Sequence, residues 1–196
     1  MPALLPAELA WYVTGRFYQA EPDGRVADYG YFLHLPFLDV PLFLGKRGET
    51  TAHFTFAAKP FQAHGVDNGA LRLGVDPVGE FSLYLQRRPE GSFDDPASFA
   101  VGECIATFRR ASLVVGTTVT APDGTTAAAL VGTNVFSALL VESTPFDFAG
   151  GRHDVAEHLG RGVTQFGTAA GAPVQPAPQG FTLVVPFTGS AIALGR

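Results

Sequence analysis

Charge is scarce in this chain. Only 16% of its 196 residues are Asp, Glu, Lys or Arg, against the usual quarter. The 13 basic and 18 acidic residues leave a net charge of −5, with a pI near 5.4. Nucleic acid binding needs clustered Lys and Arg, and here the basic residues adjoin only as Lys46-Arg47, Arg87-Arg88 and Arg109-Arg110. No nucleic acid partner is expected. Cysteine is limited to Cys104, which excludes an internal disulfide. No run approaches the ~20 apolar residues of a membrane span. The start, "MPALLPAELAW", lacks a basic segment followed by an apolar one. The expectation is a cytoplasmic protein with no membrane partner.

Long helical windows are missing too, because 23 glycines and 15 prolines punctuate the whole chain. So are catalytic signatures. There is no G-x-S-x-G elbow, no H-E-x-x-H, no paired C-x-x-C, and no glycine loop that opens a helix on a phosphate. The common nucleotide-binding and metalloprotease classes fall away with them.

What is present is alternation at period two. "LAWYVTGRFYQA" sets Leu9, Trp11, Val13 and Phe17 on one face and Tyr12, Thr14, Arg16 and Tyr18 on the other. "EPDG" follows, a turn with Asp23-Gly24 at the positions that tolerate positive φ. "YGYFLHLPF" should then return antiparallel. "APDG" at 121–124 repeats the signal between "SLVVGTTVT" and "TTAAALVGT". Nine to eleven strands are expected in all. "RRPEGSFDDPASF" (87–99) reads as a surface loop with a short helical turn capped by Asp94 or Asp95. "GAPVQPAPQG" (171–180) reads as an extended connector. In "FTLVVPFTGSAIAL", Pro186 cannot donate to a ladder and suits an edge, a bulge or a kink, as a strand closing a barrel requires.

The expected fold is therefore all-β: one antiparallel barrel spanning 1–196, with a β-sandwich as the alternative. A chain of this length buries roughly 70% of its unfolded surface without a disulfide or metal. As architecture this is similar to the calycin-like barrels, the lipocalins and allene-oxide-cyclase-like proteins among them. "AWYVTGRF" departs from the lipocalin Gly-x-Trp, since its Trp precedes its Gly.

Several residues are candidates for chemistry. In "TAHFTF" (51–56), His53 either lines a cavity with Thr51 and Thr55, or lies outside while Phe54 and Phe56 fill the core. His34 shares a parity with Phe32 and is expected part-buried. In "GECIATFRR", either Glu103 or Cys104 shares the apolar face. The favoured arrangement buries Cys104, Ala106 and Phe108 and leaves Glu103 outside. An inward Glu103 would have a raised pKa and suit proton transfer. "RHDVAEH" offers His153, Glu157 and His158 as possible metal ligands, with a solvated polar segment as the favoured reading. No cofactor and no metal are expected.

The 17 Phe, 5 Tyr and one Trp suggest a barrel that holds a small apolar or aromatic molecule against Trp11, Tyr31, His53 and Tyr84. A second possibility is a cofactor-free isomerase or cyclase, with Glu103 or His53 as the acid or base. A third is a structural or oligomeric protein with a filled core. A homodimer is the expected oligomer.

Overall fold

A computed structural model describes residues 4–62, 64–68, 71–76, 79–111, 114–119 and 132–195. Their strands are β1 (Leu9–Ala20), β2 (Val26–His34), β3 (Phe54–Ala58), β4 (His64–Asn68), β5 (Leu71–Asp76), β6 (Glu80–Leu85) and β7 (Glu103–Arg110). β8 (Val114–Val119), β9 (Gly132–Ser143), β10 (Phe146–Phe148) and β11 (Gly151–His153) follow. A five-residue helix, α1 (Val155–Leu159), precedes β12 (Gly162–Ala169) and β13 (Phe181–Ala193). The first turn forms as its sequence demands. Gly24 takes φ 68, the Asp23 carboxylate accepts from the Arg25 N–H, and β2 returns antiparallel to β1. The "APDG" turn lies outside the described residues, but β8 and β9 on its two sides pair antiparallel.

Eight strands close into an antiparallel barrel, in the order β12-β13-β1-β2-β3-β6-β7-β9, with β9 returning to β12. Closure rules out the sandwich and leaves the barrel itself without an edge. β8, β5 and β4 continue the sheet beyond β9. Pro186 sits where its missing donor costs least. Its carbonyl accepts from Ala170, just past the last β12–β13 pair at Ala169↔Phe187.

One parity of each strand fills the barrel. Trp11, Phe32, Phe54, Phe56, Leu83, Leu85, Ala106, Phe108, Ala138, Val163 and Ala191 are all buried in a single cluster. Trp11 makes edge-to-face contacts with Phe32, Phe81 and Phe108 at 5.5–6.3 Å, each worth about 0.5–1.5 kcal/mol beyond burial. Rings this large need gaps opposite them. Gly15 and Gly30 face each other across the β1–β2 ladder, and a Cβ at Gly30 would stand 2.8 Å from the Phe56 ring and 2.2 Å from the Thr14 carbonyl.

One end of the barrel is capped. Residues 35–42 contribute Leu35, Phe37, Leu38 and Leu42 to the same cluster, the β10–β11 hairpin adds Phe146, and α1 adds Val155 and Leu159. The wall is covered on its outside as well. The segment 87–101 ends in a 3₁₀ turn, Pro96–Ala100, with Asp95 at its N-cap position but no side-chain capping bond. This segment is more than a surface loop. It buries Phe93 and Phe99 with Tyr18 and Val184, and the 171–180 connector packs Val174 and Ala177 beside them.

Candidate functional site

Bulges decide where several candidate residues go. Across β6–β7, Leu83 pairs with Ala106 and Tyr84 with Cys104, so Ile105 is the extra residue. Ile105 is buried while Cys104 is exposed, which corrects the expectation that Cys104 joins the core. Ala106 and Phe108 do point inward. Glu103 is exposed and forms a two-pronged ion pair with Arg87, at 2.8 and 3.0 Å. The guanidinium holds its carboxyl below the usual range, the opposite of what an acid or base in an apolar wall requires. A bulge at Leu33 does the same to His34: Tyr12 pairs with His34 and Val13 with Phe32, which leaves His34 exposed rather than part-buried.

The four expected cavity residues are not brought together. Trp11 is inside the barrel, 1% exposed, with its Nε1–H donated to Gln165 Oε1 at 3.0 Å. Tyr31 lies on the outer wall against Phe43 and Phe93. Tyr84 also faces outward, half-buried. Burial raises the pKa of both phenols. Phe54 and Phe56 occupy the core, and His53 takes the other parity, half-buried at the capped end. Its Nδ1–H donates to the Gln86 carbonyl at 2.9 Å, and its ring meets the edge of Phe148 at 5.2 Å.

Beside Phe148 lies a cleft of about 360 Å³, between α1, the β10–β11 hairpin and residues 37–40. The sequence builds it in steps. Asp154 caps α1 by accepting from the Ala156 N–H and is held by the Ser143 hydroxyl. The helix stops at Gly160, at φ 67. Its last turn thereby brings His158 flat against Phe37, with ring centroids 4.8 Å apart and planes 15° apart. His153, at the end of β11, stands 6.3 Å from His158 and leans on Phe146. Gly151 leaves it room, since a Cβ there would lie 2.8 Å from His153 Nε2. That nitrogen is buried without a hydrogen-bond partner. Arg152, Asp39 and Glu157 complete the polar lining. Among the described residues no three His, Cys, Asp or Glu side chains are grouped to hold a metal ion.

Sequence reasoning missed a second polar group, at the end of the barrel opposite the cap. Asp28, Arg110, Asn134 and Gln165 are all buried on inward faces. Arg110 Nη2 donates to Asp28 Oδ1 at 3.0 Å, and the guanidinium also covers the rings of Phe61 and Phe136. Burial pushes the Asp28 carboxyl up, against the pull of Arg110. The signal was available: each of these residues shares parity with core residues on its own strand, as Asn134 does with Phe136 and Ala138.

Compared with known protein families, curated proteins and solved structures, the chain shows no match. No helix among the described residues is long and apolar enough to cross a membrane.

Proposed function

We propose that this barrel binds a small aromatic molecule, and that its seat is the end cleft rather than the barrel interior. One observation carries the reading: a cleft of about 360 Å³, within the range of small-molecule sites, has half-buried Phe148 as apolar surface, with the buried Phe37–His158 stack in its wall. His153, Arg152, Asp39 and Glu157 supply convergent polar groups of both signs. Polar substituents that pair with the rim would fix the ring's orientation.

The filled interior lends support to a second reading, a structural protein, in which the cleft has no occupant. A homodimer remains part of the proposal under either reading. Its support is the exposed apolar side chains of Val135, Leu139 and Phe166 on β9 and β12, strands that pair with each other.

Titration with a naphthalene sulfonate dye tests the main reading. Saturable binding is expected, weakened about tenfold by Phe148→Ala and by Arg152→Ala with the fold intact. Binding that both variants leave unchanged, or no saturation by folded protein, defeats it.

A further inference from the structure

The uncapped end of the barrel interior holds a polar group that folding alone does not explain. Asn134 is 5% exposed, and among the described residues neither its Oδ1 nor its Nδ2 has a hydrogen-bond partner. Nearly all buried polar groups are paired, with protein or with an ordered water. On the same inward face of β9, Phe136 and Ala138 are apolar, and an apolar residue at 134 would avoid the cost of an unpaired amide.

The register keeps other side chains away from this amide. Asn134 stands opposite Gly167 of β12 on one side and Gly116 of β8 on the other, and Gly167 stands opposite Gly189 of β13. The amide takes the space that a side chain at 167 would need: a Cβ there would lie 2.6 Å from Asn134 Nδ2 and 2.7 Å from Oδ1. Beside the amide is a void bordered by Asp28, Arg110 and Gln165. About 10 Å³ of it is open to a water-sized sphere, room for one water and for nothing larger.

We propose that this void is the site of a single internal water, hydrogen-bonded to the Asn134 amide. A water carries both donors and acceptors, and the groups around the void offer both. It can accept from the Asn134 NH₂ while donating to the Asp28 carboxyl, or donate to Asn134 Oδ1 while accepting from the Gln165 NH₂. Gln165 Oε1 already accepts the Trp11 Nε1–H at 3.0 Å, which leaves its NH₂ for the water. The border also selects a neutral occupant. Asp28 and Arg110 pair with each other at 3.0 Å, so neither a cation nor an anion of this size meets an uncompensated opposite charge. The water joins β9 to β2 or β12 through side chains and extends the polar group at this end of the barrel. This site is independent of the end cleft.

A high-resolution crystal structure of the wild type and oxygen-17 relaxation dispersion of the solvent test the proposal together. The map is expected to show one peak in the void, about 2.7–3.2 Å from Asn134 Nδ2 or Oδ1. The dispersion, which counts long-lived internal waters, is expected to fall by the equivalent of one water in Asn134→Leu. Should that variant misfold, the wild-type map decides alone. An empty void in the wild type, a peak that refines as an ion, or an unchanged dispersion amplitude in folded Asn134→Leu would overturn the proposal.

Discussion

Replacing Asp28 by Leu tests the polar end of the barrel through its energetics. The side chains of Arg110 and Asp28 are 2% and 9% exposed, and Arg110 Nη2 donates to Asp28 Oδ1 at 3.0 Å. Taking the carboxyl away leaves that guanidinium donor in an apolar wall without its acceptor. Breaking one side of a buried pair costs about 3–5 kcal/mol, whereas replacing both sides with apolar groups of similar volume is close to neutral. For a domain of this size each kcal/mol moves Tm by about 2–4 °C, so Asp28→Leu should lower Tm by roughly 6–20 °C. Adding Arg110→Met should recover most of that loss. Urea unfolding of the wild type, the two single variants and the double variant supplies the cycle, provided the m-value is unchanged. A loss below about 1 kcal/mol for Asp28→Leu, or a double variant no better than the worse single one, would refute a buried pair at this position.

Two further outcomes follow from the geometry. Gly30→Ala should cost about 3 kcal/mol or more, above the usual overpacking range, because its Cβ meets the Thr14 backbone at 2.2 Å. Gly48→Ala is the control: nothing lies within 4 Å of its Cβ, and its φ of 177 is ordinary extended backbone. Equal Tm values for the two would contradict the tight β1–β2 contact. In acid, Glu80 and Glu103 have lowered pKa values from their bonds to Lys59 and Arg87. Their contribution is present above about pH 4.5 and is lost as pH falls through the lowered values. Each is worth under about 1 kcal/mol at these exposed positions. Asp28 acts with the opposite sign. Its raised pKa makes the folded chain hold the proton more tightly, so its contribution falls as pH rises above its ordinary value near 3.8. Urea midpoints between pH 3 and 6 should therefore show a shallower acid loss in Glu80→Gln/Glu103→Gln and a steeper one in Asp28→Asn. A profile unchanged in both removes this assignment.

The barrel was legible because its signals are local. Alternation in "LAWYVTGRFYQA" and the Asp23-Gly24 turn each follow from a few neighbouring residues. Side-chain destinations were not, because parity is relative to the bulges. One extra residue at Ile105 turns Cys104 outward, and another at Leu33 turns His34 outward. Tyr31 and Tyr84 had the composition of cavity residues but the outward parity. The cover that half-buries Tyr31 comes from a segment about sixty residues away, through Phe93. The end cleft depends on the packing of α1 against residues 37–40, a tertiary contact with no period to announce it. The inward polar residues Asp28, Arg110, Asn134 and Gln165 were visible in principle, as polar positions on an apolar parity.

Crystals soaked with small aromatic fragments at millimolar concentration would show whether an aromatic ligand sits at the capped end. Fragment density is expected in the cleft, with a ring against Phe148 and a polar atom bonded to Arg152. Fragments that leave this cleft empty while binding elsewhere on the protein would contradict the proposal.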